Sequence, residues 1–327
     1  MINIFTNYWY LIYFLLVIFS YYISNFICKK CNLFEIKNFK KIYLSGGIFF
    51  FILIIIIYIF FILNIDKSII LISDKNINIF LIFFSFLFLL LGIFDDKYNI
   101  SPNKKILLQI LILFFFFFFN KNLLIYEIRF NNINIQLNYY LALLFTSFCL
   151  LCLINAFNYI DGINGIAISF YLYCSVFLFI KSKDIFIILL IFPSLFFLLQ
   201  NYKEKIFLGN SGSLLLPFVL GIKIIDMHNH YKINANDIIL LFFVPGADFI
   251  YLFIIRLSKY KNAFRADLNH LHHLLENFVK KNYFTIICYN MILFFPIAFN
   301  LILKINFIIT IILLSFLYYS LRAFLKP

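Results

Sequence analysis

The chain has 327 residues, of which 65% are hydrophobic, and a mean hydropathy of +1.00. This composition excludes a water-soluble globular protein of the same length, because too little polar surface is left to face water. A multi-span membrane protein is the class that remains. The formal net charge of +13 therefore indicates contact with anionic lipid headgroups or phosphates rather than with nucleic acid.

Eleven apolar segments approach the length of about 20 residues that a membrane-spanning helix needs. They cover residues 8–27, 44–63, 77–94, 105–119, 138–157, 163–180, 185–200, 211–225, 238–257, 283–303 and 306–325. No Lys or Arg precedes the first segment and no small-residue cleavage site follows it, so we interpret it as a retained helix rather than a signal peptide. The pattern predicts an all-α polytopic membrane protein with about 10–11 transmembrane helices, folded as one domain over residues 1–327.

One connecting segment departs from the helical pattern. Residues 123–137 alternate apolar and polar side chains, as in Ile133, Asn134 and Ile135. Alternation with a period of two is typical of a β-strand, so this segment is predicted to form a short β-hairpin between two spans.

The distribution of basic residues predicts the orientation of the chain. With the N-terminus outside, 18 of the 27 Lys and Arg residues lie on the side of the odd-numbered connections, and this excess marks the cytoplasm. The hairpin is then periplasmic. This orientation predicts a cytoplasmic position, at or near a span end, for five polar features: Asp95, Asp96, Asp161, Asn210 and the segment 270–273. Because polar groups in such a chain are costly, their grouping on one side predicts a single cytoplasmic site with catalytic loops.

The first polar group is the pair Asp95-Asp96, followed by Lys105 at the start of the next span. Adjacent carboxylates repel each other and favour a divalent cation, and Mg²⁺ prefers one or two carboxylates together with phosphate oxygens. Lys105 offers a point charge for a phosphate. The alternative is a solvated turn whose acidic residues cap the following helix.

The second group consists of Asn155, Asn158 and Asp161, which are spaced by three residues. On a helix this spacing places them on one face at the end of an apolar span, where they favour binding of nucleotide or sugar hydroxyls. Gly162 allows a ligand to approach the backbone closely. Polar contacts between packed spans are the alternative.

The third group is the segment 208–213, Leu-Gly-Asn-Ser-Gly-Ser. It is predicted to be a flexible loop that opens a helix and offers its backbone amides to an anion. The alternative is a turn that only caps the helix.

The fourth group lies in the last cytoplasmic loop, which runs from Arg256 to Lys281 and contains His270, His272 and His273. Three His within four residues, preceded by basic residues, favour a pyrophosphate that is contacted by imidazole and guanidinium groups. A basic loop that only sets the topology is the alternative, but it does not explain the His residues.

Six Cys residues are present, and two pairs have CxxC spacing. A closed zinc site needs four ligands within reach. Cys149 and Cys152 lie inside an apolar span, so we interpret them as small buried hydrophobes rather than as metal ligands.

Taken in order, the four groups resemble the motifs of the polyprenyl-phosphate N-acetylhexosamine-1-phosphate transferase family, the superfamily that includes WecA and MraY. The matching segments are 91–96 with Lys105, 155–165, 207–213, and Pro245-x-x-Asp248 leading through Arg256 and Arg265 to His270-Leu271-His272-His273. MraY-type enzymes have three consecutive His after a Pro, whereas this chain has His-Leu-His-His, which resembles the WecA-like branch.

The resemblance implies a reaction. A polyprenyl phosphate, undecaprenyl phosphate in a bacterium, attacks the sugar-linked phosphate of a UDP-N-acetylhexosamine, most of all UDP-GlcNAc. The products are the polyprenyl-diphosphate-sugar and UMP, and the reaction initiates synthesis of a cell-envelope polysaccharide such as the O-antigen of lipopolysaccharide. The resemblance also implies Mg²⁺ as cofactor with Mn²⁺ as a substitute, a location in the inner (cytoplasmic) membrane, and surrounding membrane lipid, and it is compatible with a homodimer.

The resemblance also implies roles for residues. The implied catalytic residues are Asp95, Asp96 and Asp161. The implied substrate-binding residues are Lys105, Asn155, Asn158, Arg265, His270, His272 and His273. The implied metal ligands are Asp95, Asp96, Asp161 and Asn210. At position 210 the family usually has Asp, so this chain offers a carbonyl oxygen there without a charge. Smaller departures are Ser45, near an expected Pro, and Asn164, where Asp is frequent.

Three alternatives to this function stay open at the level of sequence. An MraY-type phospho-MurNAc-pentapeptide transferase uses the same chemistry. A lipid-phosphate transporter or flippase uses intramembrane charges, which are expected near the bilayer centre rather than at span ends. A catalytically idle relative is the third, because Asn210 replaces the usual Asp.

Overall fold

The computed structural model describes residues 2–37, 39–63, 77–258, 269–303 and 305–325. Within these residues the chain forms thirteen α-helices and two small antiparallel hairpins. The helices are α1 (Ile2–Cys31), α2 (Gly46–Ile62), α3 (Ile77–Tyr98), α4 (Pro102–Phe119), α5 (Tyr139–Ile160), α6 (Ile166–Ser182), α7 (Ile185–Tyr202), α8 (Gly209–Asn229), α9 (Ala235–Leu241), α10 (Phe243–Ser258), α11 (Leu271–Val279), α12 (Asn282–Leu303) and α13 (Phe307–Leu325). The strands are β1 (Phe34–Lys37), β2 (Lys40–Tyr43), β3 (Glu127–Arg129) and β4 (Asn134–Gln136).

The eleven predicted spans fall on α1 to α8, on the pair α9 and α10, and on α12 and α13. In the described part of the chain, eight helices are long and apolar enough to cross a membrane, and α9 with α10 forms a ninth if the bent pair counts as one span. The helices α2 and α6 are apolar but shorter, with 17 residues each. The prediction of an all-α polytopic membrane protein is confirmed.

The span formed by α9 and α10 is bent by 70° where the two helices meet. Pro245 lies three residues into α10 and has no backbone N–H. Its ring also clashes with the carbonyl group four residues earlier, which belongs to Leu241, the last residue of α9. A continuous helix is therefore disfavoured at this point, and the chain turns at Phe242.

The helix α8 lies at the centre of the bundle. It packs against α2, α3, α5 and α6, and the whole apolar stretch of this helix is buried. A helix that is apolar on all sides is stable only when other helices surround it. Small residues at its start, from Gly209 to Ser213, allow α2 and α3 to approach its backbone closely.

Gly92 of α3 gives a direct test of this packing. A Cβ at this position would lie 2.3 Å from the Cα of Ser211 and 2.5 Å from its backbone nitrogen, so α8 itself must move. We expect Gly92→Ala to cost about 1–3 kcal/mol through overpacking and to lower the melting temperature in detergent. Gly246→Ala is the matched control, because no atom of the described residues lies within 4 Å of a Cβ there. An unchanged melting temperature for Gly92→Ala would show that α3 and α8 are not packed this closely.

The two hairpins lie at opposite ends of the bundle. The β3–β4 hairpin confirms the predicted hairpin, and its end of the bundle is called the hairpin end. The β1–β2 hairpin was not predicted, and Tyr43 pairs with Ile206 just before α8 begins. The end of the bundle where α3 and α5 finish and α4 and α8 begin is called the site end.

Candidate active site

At the site end, Asp95 and Lys105 form a buried ion pair. Lys105 Nζ donates to Asp95 Oδ2 at 2.7 Å and to Asn210 Oδ1 at 3.2 Å. The other Asp95 oxygen accepts from the backbone amide of Ile100 at 2.9 Å. Because α3 ends and α4 begins within this turn, the two charged side chains reach each other over only ten residues of chain.

Asp96 contacts the N-terminus of α8. Its Oδ1 and Oδ2 accept hydrogen bonds from the backbone amides of Asn210 at 2.8 Å and Ser211 at 3.2 Å. Gly209 has a φ of +69°, and a Cβ on it would lie 2.9 Å from Asp96 Oδ2. The segment 208–213 is therefore helical from Gly209 onward rather than a flexible loop, and the anion that its amides bind is the Asp96 carboxylate.

The two Asn residues of α5 contact different helices. Asn155 Nδ2 donates to Gln109 Oε1 of α4 at 2.7 Å, whereas Asn158 Oδ1 accepts from Ser213 Oγ of α8 at 2.6 Å. Both side chains thus connect α5 to its neighbours at the site end. The structure brings them together with Lys105 and Asn210, since Gln109 lies one helical turn after Lys105 on α4.

Asp161 immediately follows α5 and is the least compensated charge of the group. Burial raises the pKa of its carboxyl well above the usual range, and the negative charges of Asp96 and Glu35 raise it further. No hydrogen bond from a described residue offsets these effects. The structure therefore brings Asp161 into electrostatic contact with Asp96 and leaves it in need of a cation.

The imidazoles of His272 and His273 lie against the turn that carries Asp161. A Cβ on Gly162 would lie 2.8 Å from the Nε2 atoms of both His side chains. His272 is 0% exposed, and neither of its ring nitrogens has a hydrogen-bond partner in the described part of the chain. Burial and the neighbouring His273 and His270 lower the pKa of His272 to about 3, so it is neutral at physiological pH.

His270 is held in a separate network directly before α11. Its Nδ1 lies 2.7 Å from Asp248 Oδ2, and its Nε2 lies 3.3 Å from a terminal nitrogen of Arg256. A carboxylate only accepts and a guanidinium only donates, so the ring is a neutral imidazole that carries its proton on Nδ1. The ring also stacks on Tyr159, with 5.1 Å between the ring centroids. Arg265, the remaining predicted substrate ligand, lies outside the described residues.

The donor set fits a divalent cation in part. Among the described residues, no three His, Cys, Asp or Glu side chains converge closely enough to hold a metal ion. Asp95 and Asn210 both accept hydrogen bonds from Lys105. By contrast, the desolvated carboxylates of Asp161 and Asp96 repel each other. Mg²⁺ binds through one or two carboxylates and takes its other ligands from phosphates and water, so the Asp96 and Asp161 pair suits it.

Several contacts of the site lay outside the sequence predictions. Gln109 and Ser213 fix the two Asn residues, and the only sequence signal for Gln109 is a lone amide one turn after Lys105. Asp248 belongs to a recognised motif, but its bond to His270 crosses 22 residues. Arg322 is one of the basic residues on which the predicted orientation depends, but no site role was predicted for it. It is buried in the last span.

The site end therefore combines the carboxylates of Asp95, Asp96 and Asp161 and the buried ammonium group of Lys105 with a neighbouring network that contains Asp248, Arg256 and His270. Opposite charges in a partly desolvated setting suit the binding of phosphates together with a divalent cation. The neutral imidazole of His272 adds hydrogen-bonding groups without adding charge.

Comparison with known proteins points to one family. Residues 78–228 match the family described as glycosyl transferase family 4, a range that includes Asp95, Asp96, Lys105, Asp161 and Asn210.

Three curated relatives carry related names. A probable undecaprenyl-phosphate N-acetylglucosaminyl 1-phosphate transferase of Bacillus subtilis is 27% identical over 204 residues, which are 59% of this chain and 57% of that protein. An undecaprenyl-phosphate alpha-N-acetylglucosaminyl 1-phosphate transferase of Thermotoga maritima is 26% identical over 216 residues, 65% of this chain and 66% of that protein. A decaprenyl-phosphate N-acetylglucosaminephosphotransferase of Mycobacterium leprae is 26% identical over 163 residues, 41% of each chain.

The chain spans 57% and 66% of the length of the first two relatives. The matched family range covers the charged turns of the site end, and the His network lies beyond it in the same fold. The ordered motifs, the helical membrane fold and the named relatives agree with one another. The chain is therefore similar to glycosyl transferase family 4 over residues 78–228, and to the three named transferases at 26–27% identity.

Proposed function

We propose that this protein transfers N-acetylglucosamine-1-phosphate from UDP-N-acetylglucosamine to undecaprenyl phosphate in a Mg²⁺-dependent reaction. The names of the relatives support this donor and a polyprenyl phosphate acceptor. The sequence His270-Leu271-His272-His273 supports the WecA-like branch over the MraY-type reaction.

One observation carries the proposal. Asp161 is a desolvated carboxylate repelled by Asp96, and the imidazoles of His272 and His273 lie against the turn beside it. A structural turn gains nothing from two desolvated like charges, because each opposes the ionisation of the other. The arrangement becomes favourable when a divalent cation and the phosphates that accompany it are bound.

In the proposed step, an oxygen of the lipid phosphate forms a bond to the sugar-linked phosphorus of the donor. The bond from this phosphorus to the bridging oxygen breaks, and UMP leaves with that oxygen and its electron pair. When bound, Mg²⁺ neutralises the charge that develops on the phosphate oxygens. Asp96 and Asp161 would hold it, and the α8 N-terminus fixes the orientation of Asp96.

The other side chains bind and orient the phosphates. Lys105 holds Asp95 and Asn210 in place and provides a positive charge in the first turn of α4. Arg256 and His270 provide a guanidinium and an imidazole for the diphosphate of the donor. Burial of these groups strengthens their interaction with phosphate oxygens, since the local dielectric constant is low.

The excess of Lys and Arg on one side supports a cytoplasmic location of the site end, where the soluble nucleotide sugar is made available. We propose the inner membrane as the location. Sealed vesicles of known orientation test it, because only vesicles whose cytoplasmic face is outward should accept added UDP-sugar.

The proposal is tested by the release of UMP from membranes that contain the protein, supplied with UDP-N-acetylglucosamine, undecaprenyl phosphate and Mg²⁺. We expect release only when all three are present, and none after chelation of the metal. Membranes with the Asp161→Asn variant give the background. The absence of release with folded protein and with any UDP-N-acetylhexosamine would contradict the proposed function.

Asn210→Asp tests the unusual residue at the start of α8. Its side-chain oxygen lies 3.2 Å from Lys105 Nζ, so a carboxylate there gains an ion pair and adds a third negative charge next to the Asp96 and Asp161 pair. We expect tighter Mg²⁺ binding and thus half-maximal activity at roughly 10-fold lower Mg²⁺, because one additional partly buried ion contact of about 1.4 kcal/mol is a factor of ten. An unchanged Mg²⁺ dependence would show that position 210 does not contact the metal.

A further inference from the structure

The last helix of the bundle carries a buried charge that the proposed reaction does not use. Arg322 of α13 is 2% exposed, although α13 has the composition of a membrane span. An uncompensated guanidinium in such a position is costly, so its partners are the reason that it is there.

Through these partners, Arg322 is linked to the segment that carries the His cluster. One terminal nitrogen of Arg322 donates to Asp248 Oδ1 and, at 3.0 Å, to the hydroxyl group of Tyr318. The other terminal nitrogen donates to the backbone carbonyl of Asn269, the residue before His270. Arg322 thus connects α13 to α10 and to the start of α11 at the same time.

Asp248 is the centre of this network and is 4% exposed. Its Oδ1 accepts from Tyr318 at 2.8 Å, from the backbone amide of Leu271 at 3.1 Å and from Arg322, while Oδ2 accepts from His270 at 2.7 Å. A carboxylate with this many donors is held in one orientation. The Nδ1 proton of His270 therefore points to Asp248, and its Nε2 is presented to Arg256.

We propose that Arg322 is a positioning residue of the active site. It acts through Asp248 and the Asn269 carbonyl to keep His270 in the neutral form with its proton on Nδ1, so that His270 and Arg256 together face the diphosphate of the nucleotide sugar. This inference rests on the proposed function for the identity of the ligand. The link between Arg322 and the His segment rests on the contacts alone.

If Arg322 positions His270, its loss should weaken binding of the UDP-sugar donor more than binding of the polyprenyl phosphate acceptor. For metal-ligating His residues, loss of the outer partner that orients the ring lowers metal affinity or activity roughly 10- to 100-fold, and we take this range as the guide for His270. For Arg322→Met we expect the KM for the UDP-sugar to rise roughly 10-fold or more, while the KM for the polyprenyl phosphate changes less than about twofold. A residue that only stabilises the fold would affect both substrates alike.

Two further variants keep the test informative if Arg322→Met folds poorly. Tyr318→Phe removes one donor to Asp248 and keeps the shape of the side chain, so we expect a smaller rise in the same donor KM. Arg322→Lys keeps the charge but cannot reach Asp248 and the Asn269 carbonyl together, so its donor KM should lie between those of wild type and Arg322→Met. Ser320→Ala is the control on the same helix, because within the described residues its hydroxyl group bonds only the Leu317 carbonyl.

A second measurement does not depend on the activity. Amide hydrogen exchange of residues 269–275 should be faster in Arg322→Met and unchanged in Ser320→Ala, since the Leu271 amide is bonded to Asp248. Equal exchange in wild type and Arg322→Met, or equal changes in both KM values, would overturn the inference. If the wild type releases no UMP but the exchange differs as expected, the proposed function fails and the positioning link stands.

Discussion

We expect Asp161→Asn to lower UMP release by at least roughly 100-fold, because a bound metal supplies several kcal/mol to a phosphoryl transition state and each 1.36 kcal/mol is tenfold in rate. We also expect the same variant to melt at a higher temperature than the wild type in metal-free detergent, by roughly 2 °C or more. Asparagine keeps the size of the side chain but removes a desolvated charge that Asp96 repels.

The sign of the stability effect follows from the direction of the pKa shift. The pKa of Asp161 in the folded protein lies well above its usual range, so folding favours the protonated form. Its contribution to stability is therefore present at low pH and is lost as the pH rises through the folded pKa. The difference in melting temperature between the variant and the wild type should shrink as the pH is lowered.

Added Mg²⁺ should reverse the order of stability. A ligand that binds only the folded state raises its stability, so the wild type should gain melting temperature with Mg²⁺ and Asp161→Asn should not. Asp237→Asn is the matched control, because Asp237 lies at the hairpin end and pairs with Lys181 at 3.1 Å. A destabilised Asp161→Asn variant, or one that keeps most of its activity, would contradict this account of the site.

The outline of the fold was accessible from composition and periodicity. Long apolar segments have few stable arrangements in a membrane, so each predicted span corresponds to a helix or a bent pair of helices. The alternation around Ile133 to Ile135 likewise predicted the β3–β4 hairpin. The bend after Leu241 was not predicted, although Pro245 is its local cause.

The contact partners within the site were harder to predict from the sequence. Helical spacing gives the helix face on which a side chain lies, but not the neighbouring residue that it contacts. Asn155 and Asn158 are three residues apart, yet one contacts α4 and the other contacts α8. Asp96 binds amides 114 and 115 residues away in the sequence. Such contacts depend on how the helices pack, which no local pattern contains.

The second large effect is expected at Lys105. Lys105→Met leaves the buried Asp95 carboxylate without its cation, and removing one partner of a buried ion pair costs about 3–5 kcal/mol. We expect a large fall in melting temperature together with loss of UMP release. Lys104→Met is the control, since the preceding Lys104 is exposed and its replacement should change stability by no more than about 0.5 kcal/mol.

Stability and activity are then separated by a double variant. Asp95→Asn with Lys105→Met removes both charges, and replacing a buried pair by neutral groups is often nearly neutral for stability. Most of the melting temperature should therefore return, while UMP release stays low because the positive charge at the start of α4 is still missing. Recovery of activity in the double variant would mean that Lys105 only compensates Asp95. Recovery of stability alone would mean that the Asp95–Lys105 pair also acts in the reaction.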